Sequence, residues 1–86
     1  MTRPTCAQEE ILGHIVEILA EELAVPAESV VPGAHVFDDL GLESLDLLTL
    51  IAILEERLGI TVLDEEIGHM ATVQGAVDVV AGKLTP

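Results

Sequence analysis

The chain has no tryptophan or tyrosine, and Phe37 is the only aromatic residue among its 86. A core without aromatics must be built from Leu, Ile, Val and Ala, and such a chain offers no stacking platform for bases or sugar rings. Basic residues are nearly as scarce: three against 16 acidic ones, for a formal net charge of −13. That surface repels phosphate backbones and anionic lipid, so neither nucleic acid nor membrane is an expected partner; proteins with basic patches are. Cys6 is the only cysteine, which excludes an intramolecular disulfide and fits a reducing compartment, with the cytoplasm as the expected location. No apolar run approaches the roughly 18 residues a bilayer span requires, and "MTRPTCAQEE" lacks an apolar signal core.

Half of the residues are hydrophobic, and the length suits one small domain over residues 1–86, expected to be monomeric. The periodicity predicts an all-α fold, a small four-helix bundle with a short third helix and a long loop between helices one and two. Thr5 followed by Gln8 fits a capping box. Ile11, Leu12, Ile15, Ile18, Leu19, Glu22 and Leu23 then continue a mostly apolar stripe, so helix one is expected from about Cys6 to Ala24. Pro26, Pro32 and Gly33 break the chain. The stretch from Val25 to Glu43 is long for a connection, and Val30, Val36, Phe37 and Leu40 suggest that it packs on the core. Helix two is expected from Ser44 to Leu58, with Leu47, Leu50, Ile51, Leu54 and Leu58 on one face and Gly59 ending it. Asp64, Glu65 and Glu66 suit the first turn of a short third helix limited by Gly68. Thr72 is the expected cap of helix four, whose stripe reads Val73, Val77, Val80 and Leu84. "GITVL" has no second strand to pair with and reads as an extended link. The ends, Met1 to Pro4 and Thr85 to Pro86, are expected to fray.

One stretch carries chemistry. In "DDLGLESLDLLTL" a serine stands where helix two begins, and serine is a preferred helix cap. Ser44 alone would be read as that cap. Its context, Asp-Leu-Gly-Leu-Glu-Ser-Leu-Asp, together with the acidity, the length, the helix pattern and the later "DEE" and "TVQGAVDVV", resembles an acyl carrier protein over about Ile11 to Leu84. That family's attachment motif is Asp-Ser-Leu, usually preceded by Leu-Gly-x. The resemblance implies a carrier and not an enzyme. It implies a 4′-phosphopantetheine arm, delivered from coenzyme A by a phosphopantetheinyl transferase and joined to Ser44 through a phosphodiester, whose thiol holds acyl intermediates as thioesters. The further partners it implies are ketosynthase, acyltransferase or acyl-ligase enzymes of polyketide or fatty-acid biosynthesis. Helix N-termini suit such a phosphodiester, because free N–H groups and the positive end of the macrodipole meet it there.

The sequence departs from the family pattern in places. Glu43 stands where Asp is usual, keeping the charge with one more methylene. Leu42 replaces the second glycine of peptidyl carriers, and Thr49 replaces an acidic residue common in fatty-acid carriers. The resemblance also implies docking on the outward face of helix two. Leu45, Asp46, Leu48, Ala52, Glu55 and Glu56, with Asp38, Asp39 and Glu43 beside the serine, are the expected docking residues. Catalytic residues and a metal site are not expected: His14, His35 and His69 are widely separated and have no cysteine partners at ligand spacing. The alternatives are a D-alanyl or other aminoacyl carrier, or an unmodified acidic helical adaptor.

Overall fold

The computed structural model describes the backbone of residues 4–84 and the side chains of residues 8–84. It contains four α-helices, α1 (Pro4–Glu22), α2 (Ser44–Leu58), α3 (Asp64–Ile67) and α4 (Val73–Leu84), with 3-10 turns at Ala27–Ser29 and Gly68–Met70. The bundle expected from the periodicity is therefore present. α1 begins two residues earlier than expected, at Pro4, a residue well suited to the first helical position because its missing N–H would be unsatisfied there anyway. Thr5 lies inside the helix rather than capping it. Its side chain and that of Cys6 lie outside the described residues, as do the expected frayed ends apart from Pro4.

α1 stops at Glu22 because Ala24 takes a left-handed conformation, φ 58°, and Val25 N–H turns back onto the Leu19 carbonyl at 2.9 Å. An L-residue with a Cβ is disfavoured at that φ, and Ala24 is exposed. Ala24→Gly is expected to raise stability by about 0.5–1 kcal/mol, seen as a higher urea midpoint at unchanged slope. A lower midpoint would mean that the unfolded-state entropy of glycine outweighs the relieved strain.

The long connection is part of the core. Val25, Val30, Ala34, Val36 and Leu42 are buried, while Phe37 and Leu40 are half-buried against them. Its backbone completes α4. Of the four N–H groups that begin that helix, Val73 donates to the Ala34 carbonyl (2.9 Å) and Gln74 to the Pro32 carbonyl (2.9 Å). Gly75 donates to Thr72 Oγ1 (3.0 Å) and Ala76 to the Thr72 carbonyl (3.0 Å). Thr72 caps α4 as expected, and no donor of that turn is left without a partner. Val36 N–H bonds the Ala71 carbonyl at 2.8 Å, and an isolated antiparallel bridge joins His35 to Thr72.

α2 matches its expected bounds, with Leu47, Leu50, Ile51 and Leu54 buried and Leu58 half-buried. Gly59 ends it at φ 66°. α-Helical geometry ends at Ile67, but Gly68 stays right-handed and carries the chain on into the second 3-10 turn, which buries Met70. In α4, Val73, Ala76, Val77 and Val80 are buried; Leu84, expected on that stripe, is 43% exposed in the last described turn.

Two ion pairs tie helices together: Arg57 of α2 with Glu17 of α1, and Lys83 of α4 with Glu66 of α3 at 2.6 Å. The hydrogen bond from Arg57 holds the Glu17 carboxyl below the usual carboxylate range. Lys83, followed by the Leu63 N–H, does the same for Glu66. Lowered carboxyl values mean that this stability is present above the ordinary carboxylate range and is lost as pH falls through the lowered ones. Both described Lys and Arg side chains, Arg57 and Lys83, are thus taken up between helices.

Candidate functional site

The site is built where the long loop enters α2. Glu43, extended at φ −103°, ψ 169°, is the cap of that helix, and its N–H donates to Asp46 Oδ2 at 3.0 Å. Ser44 is the first helical residue and not the cap, which corrects the bland reading of the sequence. The shift matters chemically. A capping serine spends its oxygen on a backbone N–H. Here the work falls to Glu43 and Asp46, and the exposed Ser44 hydroxyl has no hydrogen-bond partner among the described residues. The first bond within α2 runs from Leu47 N–H to the Glu43 carbonyl at 3.1 Å, so the N–H groups of Ser44 and Leu45 face outward from the helix end without intrahelical partners. A free hydroxyl, unpaired donors and the positive end of a 15-residue helix together suit a covalently held anion.

The approach to Ser44 is fixed from behind. Gly41 is left-handed at φ 71°, which a side chain would resist, and that bend turns Leu42 into the core at 7% exposure. Leu42 N–H closes onto the Val36 carbonyl at 3.0 Å. The preceding turn wraps around His35, whose carbonyl accepts the N–H groups of Asp39 (2.8 Å) and Leu40 (3.1 Å) and whose own N–H donates to Asp39 Oδ2 (2.7 Å). Asp39 is thus both exposed and structurally engaged, whereas Asp38 projects into solvent.

Along α2, Leu45 is 72% exposed and Leu48 48%, and Ala52 and Glu56 are exposed as well. Positions 45, 48, 52 and 56 follow helical spacing and share one face. Apolar groups unpartnered on that face sit beside carboxylates. Two of the expected docking carboxylates are spent within the protein: Asp46 on the cap, and half-buried Glu55 on the Val62 N–H at 2.8 Å, which pins the link between α2 and α3. Thr49 is also engaged, its hydroxyl donating to the Leu45 carbonyl at 3.0 Å. Glu56 has no polar partner among the described residues. Glu55→Lys is therefore expected to cost about 1 kcal/mol of stability by stranding the Val62 N–H, while Glu56→Lys stays within about 0.5 kcal/mol. Urea titrations of the two variants check this; equal midpoints would mean that Glu55 holds nothing.

Sequence reasoning missed the structural roles of His35 and Gly75. His35 reads as one of three scattered histidines, and only its position three residues before Asp38 at the head of a turn could have marked it. Among the described residues, no group of three or more His, Cys, Asp or Glu side chains could hold a metal ion, and no helix is long and apolar enough to cross a membrane.

The family described as the phosphopantetheine attachment site matches residues 14–80. An acyl carrier protein of Rubrobacter xylanophilus is 47% identical over 78 residues, covering 91% of this chain and 96% of the relative. One from Thermosynechococcus vestitus is 42% identical over 77 residues, covering 90% and 95%. Among solved structures, the acyl carrier protein of Thermotoga maritima superposes with a TM-score of 0.81 at 28% identity over 91% of each chain.

Proposed function

The chain belongs to the acyl carrier protein family, whose members are carriers bearing 4′-phosphopantetheine and not enzymes, and on that premise we propose that Ser44 is the residue that bears the group. The observation that carries the reading is the exposed Ser44 hydroxyl, without a hydrogen-bond partner among the described residues at the start of α2, in a helix capped by its neighbour. The residues fit the group. A phosphodiester on Ser44 would meet the unpaired N–H groups of Ser44 and Leu45 and the helix dipole, and Glu43 and Asp46 hold the turn that presents it. Once bound, the arm supplies a terminal thiol that carries acyl groups as thioesters.

Family membership implies dealings with a phosphopantetheinyl transferase and with biosynthetic enzymes. We propose that these dock on the α2 face through Leu45, Leu48, Ala52 and Glu56, with Asp38, Asp39 and Glu43 supplying charge beside the arm. An apolar patch among carboxylates is complementary to an apolar recess edged by Arg or Lys. A cytoplasmic monomer serving polyketide or fatty-acid synthesis is the setting we propose. The test is intact mass after incubation with coenzyme A and a broad-specificity transferase. The gain of a single phosphopantetheinyl group is expected, and no gain with any transferase would favour the unmodified adaptor.

A further inference from the structure

The His35 imidazole lies at the centre of the turn that leads to Ser44. Its Nδ1 accepts the backbone N–H groups of Phe37 at 3.3 Å and Asp38 at 3.2 Å. A ring nitrogen accepts only while it carries no proton, so these bonds require the neutral imidazole with its hydrogen on Nε2. The backbone of the same residue holds the other side of the turn through Asp39 and Leu40 and pairs with Thr72. The Phe37 ring stands tilted against the imidazole at 5.8 Å between centres. Ring and main chain of His35 together therefore order residues 37–40, next to the Gly41 bend and the Leu42 anchor that set where α2 starts.

A competitor is in place. Asp38 Oδ2 lies 3.8 Å from Nδ1. With a proton on Nδ1 the ring becomes a donor, the two N–H groups face a donor of their own kind, and the Asp38 carboxylate is the acceptor at hand. The charged groups facing the ring are Asp38 and, through the backbone, Asp39. The packed α4 junction contributes none, since Ala71 to Gln74 carry no ionisable side chain. His69 and Asp78 on that side, and Glu43 and Asp46 at the start of α2, make no polar contact with the imidazole.

We infer that His35 is a positioning residue for the loading of Ser44: its neutral imidazole ties the turn that presents the serine to the transferase, and protonation unties it. This rests on Ser44 as the attachment residue. Asparagine can accept N–H bonds near the same place without titrating, so His35→Asn separates holding the turn from sensing pH. The experiment loads wild type and His35→Asn in one mixture, so the transferase's own pH response cancels. The ratio of the wild-type rate to the His35→Asn rate is expected near one while the His35 ring is neutral and about fivefold lower once the pH has been taken low enough to protonate it, a change of the size one net backbone hydrogen bond gives.

A ratio that does not move with pH overturns the inference. Amide resonances of the unloaded wild type provide a second reading: Phe37 and Asp38 are expected to shift with the titration of the His35 ring itself. Amides that follow only the carboxylates overturn the inference also. If neither protein loads at any pH, Ser44 fails as the attachment residue, while the amide titration still decides whether His35 holds the turn.

Discussion

Gly75→Ala is expected to destabilise the bundle by about 2–3 kcal/mol, although alanine is the better helix former by about 1 kcal/mol. A Cβ at Gly75 would lie 2.1 Å from the His69 carbonyl oxygen, and 3.2 Å from both its carbon and Thr72 Oγ1. The first of these is a backbone atom in a 3-10 turn and cannot rotate aside. Relief requires α4 to move away from that turn. Such a movement stretches the Gly75 bond to Thr72 and the Val73 and Gln74 bonds to the long loop, the set that satisfies the start of α4. Gly82 is the internal control. It lies in the same helix, and a Cβ there would meet nothing within 4 Å, so Gly82→Ala should stabilise by up to about 1 kcal/mol. Urea unfolding of the two variants beside wild type measures both signs, and equal behaviour would remove the steric argument.

The same glycine marks a limit of what the sequence discloses. In "TVQGAVDVV" it reads as a mildly unfavourable helical residue, because nothing local says that the His69 carbonyl passes beside it. The stitching of the loop to α4 is equally silent: Pro32, Ala34 and Ala71 contribute carbonyls, which every residue has, so side-chain patterns carry no trace of it. Helix two was legible because side chains define it. Leu47, Leu50, Ile51 and Leu54 repeat at helical spacing and Gly59 can adopt the left-handed end. Thr72 was legible because a hydroxyl before an apolar run has a specific use.

At the functional site both kinds of information meet. The serine and its surroundings pointed to an attachment residue, but serine's own capping preference pointed to a different use of the same oxygen. Glu43 and Asp46 stand three residues apart, the spacing of a capping box, and the acidic residue at its first position was obscured by the stronger cap beside it. The cap geometry settles which residue starts the helix. Glu55 presents the reverse case: its pattern marks it as a surface charge, and only the fold reveals that the Val62 N–H occupies it.

That separation of roles at the start of α2 leads to the largest functional effect expected. Ser44→Ala should lose phosphopantetheine loading altogether while stability stays within about 0.5 kcal/mol of wild type. Loading is lost because the substitution removes the only side-chain oxygen at that position. Stability is kept because that oxygen has no hydrogen-bond partner among the described residues, alanine is favourable in a helix, and the cap bond from Glu43 N–H to Asp46 remains. A serine acting as the cap would behave differently, since its removal typically costs about 1 kcal/mol. The chain's other serine, Ser29, supplies the comparison. It is exposed too, but it ends a three-residue 3-10 turn that has no long helix behind it, so neither a row of free N–H groups nor a macrodipole meets an anion there. Ser29→Ala should load like wild type. Intact mass and urea midpoints of the three proteins decide the matter: a phosphopantetheinyl group retained by Ser44→Ala would move the attachment elsewhere, and a loss of loading accompanied by unfolding would return Ser44 to the role of a structural cap.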